Sequence, residues 1–204
     1  MKIVQVHHYY RSVVGGLERV VQSMVEELSK LGHEVHVVTS ILGAQGKPRM
    51  EMVKGVYVYR IKGIKLVYLD LIYPLEYPVK VLKDADIVHG HSQNSLFTAR
   101  IIEEARKLGV KTATHFMALD SFSDHSNPLT RSLGPFYAKL ILKKALRAFN
   151  VKLVRSYRDM KILKIRINMK SKPYTCPMEL ARSLLRLLIW LRSLELNTVF
   201  KIPL

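Results

Sequence analysis

The chain has few of the features expected of a secreted or membrane-spanning protein. It contains one cysteine, Cys176, among 204 residues, so no disulfide can form within the chain. The apolar run at its start is too short for a signal peptide, and no uninterrupted apolar stretch reaches the roughly 18–20 residues of a spanning helix. We therefore expect a cytoplasmic protein without a membrane crossing, and peripheral contact with a membrane surface is compatible with that expectation.

Acidic residues are also scarce. There are 16 Asp and Glu against 33 Lys and Arg, which gives a formal net charge of +17. Residues 151–204 hold 12 of the basic residues and only 3 of the acidic ones, and most of that surplus lies within 152–172. Such a surplus favours an anionic partner, namely nucleic acid, anionic lipid or a phosphorylated substrate; the alternative is a solvated basic surface without a specific partner.

Apolar residues make up 49% of the chain, enough for a sizeable core, and they recur in a regular alternation. The pattern predicts strands at 2–6, 34–40, 86–91, 110–116 and 151–156, with one or two more within 55–69. Helical spacing predicts helices at 17–31, 96–108, about 136–149 and about 158–164. Residues 43–48 are predicted to be a loop, and 73–83 is ambiguous because prolines interrupt it.

The sequence Lys-Leu-Gly precedes a predicted strand twice, and Gly32 and Gly109 are expected to end the preceding helices in a left-handed conformation. A strand-helix unit is thus repeated along the chain. Parallel strands require crossovers over a face of the sheet. We therefore predict an α/β fold: a Rossmann-like open parallel sheet with helices on both faces.

Gly15 and Gly16 stand between the first strand and the first helix. In an open α/β sheet, ligands bind in the crevice at the carboxyl ends of the strands, so residues 7–16 are expected to face it. Glycine permits close backbone approach and positive φ, and the helix start offers N–H groups to a phosphate. A tight turn without a ligand is the alternative. The spacing is not the dinucleotide-binding G-x-G-x-x-G.

Several ordered motifs carry a resemblance to a known family. The segments are "MKIVQVHHYYRSVVGGLERVVQSMVEELSKLGHEVHVVTS", "DADIVHGHSQNSLFTARIIEEARKLGVKTATHF" and "VRSYRDMKIL". Together they resemble the N-terminal domain of family-four glycosyltransferases of the GT-B fold. The resemblance covers about residues 1–177, and the ordered spacing makes it more specific than any single motif.

The resemblance implies transfer of a sugar from a nucleotide-diphosphate donor with retention at the anomeric carbon. It implies no metal and no cofactor beyond the donor substrate. One half of a GT-B fold would offer the surface for a sugar or lipid-linked acceptor, together with a Gly-Gly loop near the donor. A second Rossmann-like domain would hold most of the donor.

The resemblance also implies roles for individual residues. Gly15 and Gly16 fall on the donor loop, His91 and His115 fall at strand ends that contact sugar or acceptor, and Ser156 falls before the linking region. His115 is the candidate catalytic residue, because an imidazole can donate a hydrogen bond to a hydroxyl or share a proton. The next four residues, "FMAL", do not include the acidic residue that the family commonly places soon after this histidine.

Three short patterns resemble parts of metal sites, but none of them predicts a complete site. Asp84-Ala85-Asp86 reads as D-x-D, but it precedes its strand, so we expect a strand-entry cap at the amino end. His7-His8 and His89-x-His91 have no carboxylate or cysteine at a spacing that would complete a ligand set. The prediction is therefore that the chain has no metal site.

The second domain of the family has no counterpart in this sequence, since only 27 residues follow Pro177. Family members run here into Pro-Asn-Gly-(Val/Ile), whereas this chain reads Pro-Met-Glu-Leu. One extra A before the Met codon ATG would restore AAT-GGA, which encodes Asn-Gly. We hypothesise a single-base deletion that truncates the gene product, with domain 1–177 followed by an out-of-frame tail, 178–204.

Two functions stay open at this point. The first is a glycosyltransferase N-terminal domain that is inactive alone unless another polypeptide supplies the missing domain. The second is a basic, non-catalytic module that binds nucleic acid or an anionic membrane through residues 152–172. At face value the tail is an amphipathic Leu- and Arg-rich helix, but disorder or opportunistic packing is the favoured interpretation. Nucleic acid is the less favoured partner.

Overall fold

A computed structural model gives the structure of the chain. It describes residues 1–12, 15–66, 71–92, 94–116, 128, 131–137, 139, 151–154, 157–161 and 174–175. Three helices have defined bounds, namely α1 (Gly16–Lys30), α2 (Val79–Lys83) and α3 (Leu96–Lys107). The strands are β1 (Lys2–Val6), β2 (Glu34–Ser40), β3 (Met50–Val53), β4 (Val56–Ile61), β5 (Gly63–Lys65), β6 (Ile72–Pro74), β7 (Ile87–His91), β8 (Lys111–Phe116), β9 (Val151–Val154) and β10 (Tyr174–Thr175).

Eight of these strands form one sheet in the order β10-β9-β8-β7-β1-β2-β4-β3. Every neighbouring pair is parallel except β3 and β4, which form an antiparallel hairpin at the edge. Strands β5 and β6 form a separate antiparallel pair. The predicted Rossmann-like α/β fold is confirmed.

Two apolar clusters lie on opposite faces of the sheet. On one face, Val21, Val25 and Leu28 of α1 pack against strand residues that include Ile3 and Val37. The other face is covered by α2 and α3, which contribute Leu82, Phe97, Ile101, Ile102 and Ala105 to a cluster with Val4, Val6 and Val88. Because consecutive strand residues alternate between faces, an unbroken apolar strand such as β1 supplies both clusters.

The two Lys-Leu-Gly sequences end α1 and α3 in the same way, as predicted. Gly32 and Gly109 have φ of +84° and +79°. The N–H of Gly32 donates to the carbonyl of Ser29, and that of His33 to the carbonyl of Leu28. Gly109 and Val110 repeat both bonds with Arg106 and Ala105. This is the Schellman arrangement, and it satisfies carbonyls that a helix end leaves unpaired.

The structure also corrects the sequence-based prediction. Strand β3 was not predicted; it joins β4 through Lys54 and Gly55, whose φ values of 52° and 76° fit a two-residue hairpin turn. Strand β10 was not predicted either. The stretch 55–69 contains two strands, β4 and β5, and the ambiguous 73–83 contains the end of β6 and all of α2.

Some predictions fall partly or wholly outside the described residues. Residues 131–137 are helical, so this helix begins before the predicted position 136, and residues 157–161 are helical close to the predicted 158–164. The domain boundary after Pro177 and the tail 178–204 lie outside the described residues and stay predictions. Among the helices that are described, none has the length and apolar character needed to span a bilayer.

Replacing Gly109 by alanine should lower the free energy of unfolding by about 1–2 kcal/mol, because a side chain makes the left-handed conformation unfavourable. No atom lies within 4 Å of the added Cβ, so the loss would be conformational rather than steric. Urea unfolding followed by circular dichroism measures it. Gly109→Asn should lose less, since asparagine tolerates this region. Equal stability of the alanine variant and the unsubstituted chain would contradict the assignment.

Candidate functional site

The sheet brings polar residues from three parallel strands to one face near their carboxyl ends. In the register of β1 and β7, Gln5 pairs with His89, and in that of β7 and β8, His91 pairs with His115. Their alternation with Ile3, Ile87 and Ala113 puts them on the face that α1 covers. The predicted strand-end position of His91 and His115 is thus what the structure shows.

These side chains form a compact buried cluster, which we call the histidine cluster: His89, His91 and His115. Their rings are close, with centroids 4.5 Å apart for His89 and His91 and 6.1 Å apart for His89 and His115. The Nε2 atom of His91 is 2.7 Å from the Oε1 atom of Gln5. All three histidines are at most 2% exposed, so none reaches the surface of this structure.

Burial governs the charge state of the cluster. Burial and, to a smaller extent, the neighbouring His115 lower the pKa of His89 to about 3. The pKa of His91 also lies well below its usual value, mainly because of burial and then because of the neighbouring His89, His7 and His115. Since removing an imidazolium from water is unfavourable, His89 and His91 are neutral at pH 7.

The loop between β1 and α1 brings a carboxylate back onto the end of β1. The Nε2 atom of His7 lies 3.2 Å from Oε1 of Glu18, and the His7 side chain is fully buried. The hydrogen bond with His7 is the largest cause of the lowered pKa of Glu18. Glu18 is in the first turn of α1, where the helix dipole also favours a negative charge.

Gly15 and Gly16 have different surroundings. Gly15 precedes α1 with φ −145° and ψ 171°, which is extended backbone, so it does not use the positive φ that glycine permits. Its missing side chain leaves room for Glu18, because a Cβ on Gly15 would lie 2.2 Å from Oε2 of that residue. A Cβ on Gly16 would have no atom of the other described residues within 4 Å. Gly15 therefore accommodates a carboxylate, whereas Gly16 borders open space.

Among the residues that the structure describes, two groups of side chains could hold a metal ion. One is the histidine cluster; the other is His7, His8 and Glu18, and within each group the ligand atoms lie within 4.8 Å of one another. The expectation that no carboxylate accompanies His7 and His8 is therefore wrong. Residue spacing did not show it, because the loop folds Glu18 back from 11 positions further along the chain.

Comparison with known proteins identifies the family. The sequence profile described as Glycosyltransferase Family 4 matches residues 14–173, which is most of the chain. The chain belongs to glycosyltransferase family 4. Among curated proteins, no sequence matches it significantly.

Solved structures similar to this family 4 domain include sucrose-phosphate synthase from Thermosynechococcus elongatus. One structure of that synthase matches with a TM-score of 0.61 and 14% identity, over 86% of this chain and 47% of that chain. A second matches with a TM-score of 0.58 and 14% identity, over 96% of this chain and 99% of that one. The chain thus spans about half the length of the first synthase chain, and the likeness concerns the fold.

A third similar structure is the catalytic domain of starch synthase IV from Arabidopsis thaliana, bound to ADP and acarbose. It matches over 94% of this chain and 50% of that chain, at 13% identity and a TM-score of 0.47.

Other predicted residues of the family 4 domain have different outcomes. Asp86 lies at the amino end of its strand, where Oδ2 accepts a hydrogen bond of 2.7 Å from the backbone N–H of Lys2, so its role as a strand-entry cap is confirmed. Ser156 lies outside the described residues and stays a prediction, as does most of the basic segment 152–172. Sequence reasoning missed Gln5 and Glu18 as members of the site, because each meets its histidine only through the fold.

Gly15→Ala should separate Glu18 from His7, because the added Cβ would occupy the position of the carboxylate. The pKa of Glu18 should then rise toward its ordinary value, since the hydrogen bond that lowers it is lost. A carbon-13 NMR titration of the Glu18 carboxyl measures this pKa. Gly16→Ala is the matched control and should leave the pKa unchanged; an unchanged pKa in Gly15→Ala would contradict the contact.

The same contact predicts a pH dependence of stability. A carboxyl whose folded-state pKa is lowered stabilises the fold above its unfolded-state pKa, and the stabilisation is lost as pH falls through the folded-state value. Relative to the unsubstituted chain, Glu18→Ala should therefore be less stable at pH 6, by about 1–2 kcal/mol. The difference should shrink toward pH 3. Urea unfolding at both pH values tests this, and a constant difference would contradict it.

Proposed function

We propose that this family 4 domain forms the acceptor side of a sugar-transfer site. The donor would be a nucleotide-diphosphate sugar, and transfer to a sugar or lipid-linked acceptor would retain the anomeric configuration. The single observation that carries the proposal is the family match over residues 14–173, which begins at the donor loop and continues through β7 and β8. The resemblance in sequence motifs supplies the reaction type.

The geometry at the start of α1 supports a donor position beside Gly16. Gly15, which precedes α1, has no side chain to cap the helix, so N–H groups at the helix start can meet an anion. Space is open beside Gly16, whereas the Glu18 carboxylate lies against Gly15. We infer that a diphosphate or its sugar approaches the helix at Gly16, because a second negative charge would be repelled beside Glu18.

His115 and His91 are proposed to contact the sugar or the acceptor, with His115 as the candidate catalytic residue. Both lie at the carboxyl end of the sheet, where ligands of open α/β folds bind. Because they are 2% and 0% exposed, atoms that cover them must move before a hydroxyl reaches either ring. Closure and opening around a substrate commonly accompany catalysis.

The domain alone is proposed to lack transfer activity. The match covers 47% of the first synthase chain, and the resemblance to the family implies that a second Rossmann-like domain makes most of the donor contacts. We infer that the opposite wall of the site comes from such a domain, either in a longer protein or supplied in trans.

A second candidate function follows from the charge of +17. A basic surface of this size would bind an anionic membrane or nucleic acid without catalysis, and its binding would weaken steeply with salt. The described residues give this candidate no site geometry, because most of the segment 152–172 lies outside them. The glycosyltransferase proposal is therefore the better supported one.

A thermal-shift screen of the full chain tests the two candidates. Nucleotide-diphosphate sugars should raise the melting temperature, with a stabilisation of about 2.7 kcal/mol at 100 times the dissociation constant. Gly16→Val should abolish the shift by filling the open space beside the helix start, whereas Gly16→Ala should weaken it less. Melting curves without ligand show whether each variant folds.

Three outcomes would contradict these proposals. If nucleotide-diphosphate sugars raised the melting temperature of Gly16→Val as much as that of the unsubstituted chain, the donor would not bind beside Gly16. Salt-sensitive binding to anionic vesicles or to DNA, without any shift from nucleotide-diphosphate sugars, would favour the basic module. Transfer activity of the chain by itself would contradict the proposed need for a second domain.

A further inference from the structure

The proposed sugar transfer uses His91 and His115 of the histidine cluster but gives His89 no role. We propose that His89, His91 and His115 bind a divalent transition-metal ion such as Zn²⁺. Imidazole nitrogen is a preferred ligand of Zn²⁺, and three histidines leave a fourth position for another ligand. This inference does not depend on the proposed function.

The backbone holds the three rings in fixed relative positions. His89 and His91 are two residues apart on β7, so they project from the same face, and His115 pairs with His91 across the parallel β7–β8 ladder. One ligand atom from each ring lies within 4.8 Å of the other two. Two nitrogens on a tetrahedral Zn²⁺ ion are about 3.4 Å apart. Rotation of side chains can close this difference while the strands stay in place.

His89 has polar atoms that the fold leaves unsatisfied. It is 1% exposed, and within the described part of the chain neither ring nitrogen has a hydrogen-bond partner. A buried polar atom without a partner is destabilising, and an apolar side chain at this position would avoid that cost. A bound metal ion would give one of these nitrogens a partner, and burial keeps the ring in the neutral form that binds metal.

Gln5 prepares His91 for the same role. The amide Oε1 of Gln5 only accepts hydrogen bonds, so the Nε2 atom of His91, 2.7 Å away, carries the proton and donates it. Nδ1 of His91 is then left with its lone pair, and no described residue forms a hydrogen bond with it. Metal-bound histidines commonly donate their other N–H to an oxygen in this way, which fixes the tautomer and the ring orientation.

The second group, His7, His8 and Glu18, is the weaker candidate. Its carboxylate already forms a hydrogen bond with His7, and the His8 side chain is only half-buried. The proposed metal site is also compatible with a sugar contact by His115. An imidazole has two nitrogens, so one can bind a metal ion while the other donates to a hydroxyl.

Metal content of the full chain tests the proposal. The chain is purified without a histidine tag, equilibrated with Zn²⁺ or Co²⁺, freed of excess metal and analysed by mass spectrometry and by the absorption of Co²⁺. We expect about one ion per chain in a histidine-ligated, four-coordinate site. His89→Gln should lose the ion, and Gln5→Leu should lower the affinity about 10- to 100-fold.

His36→Gln is the matched control. His36 is 3% exposed, like the cluster, but it pairs with Val4 on the opposite face of the sheet and should leave metal content unchanged. If His89→Gln does not fold, the NMR spectrum of the unsubstituted Co²⁺-loaded chain decides, since its shifted imidazole signals must come from three histidines. The proposal would be overturned if the chain held no stoichiometric metal ion or if His89→Gln retained the ion. Loss of the ion from Glu18→Gln together with its retention by His89→Gln would also overturn it.

Discussion

The parallel, in-register pairing of β1, β7 and β8 is the constraint on which the rest of this structure depends. It aligns Gln5 with His89 and His91 with His115, although β1 and β7 are separated by about 80 residues of chain. Because the period of a strand is two, a slip of one residue would turn all of these side chains to the opposite face. Such a slip would also disrupt the apolar contacts that the strands make with α1 on one face and with α2 and α3 on the other.

The same constraint explains the Gly-Gly sequence. His7 directly follows β1, at the carboxyl end of this central strand. The chain after it returns, so that the first turn of α1 contacts His7. Gly15 makes room for Glu18 to contact His7, and Gly16 leaves the helix start open. Gly15 therefore permits the internal contact between Glu18 and His7, whereas Gly16 leaves the helix start exposed. This difference fits a helix start that contacts the domain on one side and is accessible to a ligand on the other.

Periodic features of the sequence predicted the fold well. The apolar runs of β1, β2, β7 and β8, and the helix ends at Gly32 and Gly109, depend on local pattern and are found where expected. Strand β3 was not predicted. Its alternate residues Met50 and Met52 are apolar but exposed at the edge of the sheet, so this strand lacks the buried apolar positions from which the other strands were predicted. The contacts of Glu18 with His7 and of Gln5 with His91 were missed because separations of 11 and 86 residues carry no periodic signal.

The central claim is that ligands meet this domain at the carboxyl ends of its parallel strands, beside Gly16. The most direct measurement is a titration of the nitrogen-15-labelled full chain with a nucleotide-diphosphate sugar, followed by amide chemical shifts. We expect the largest changes in amide chemical shift at Gly16 and at the carboxyl ends of β7 and β8. Changes concentrated instead at the amino ends, around Lys2 and Asp86, would contradict it.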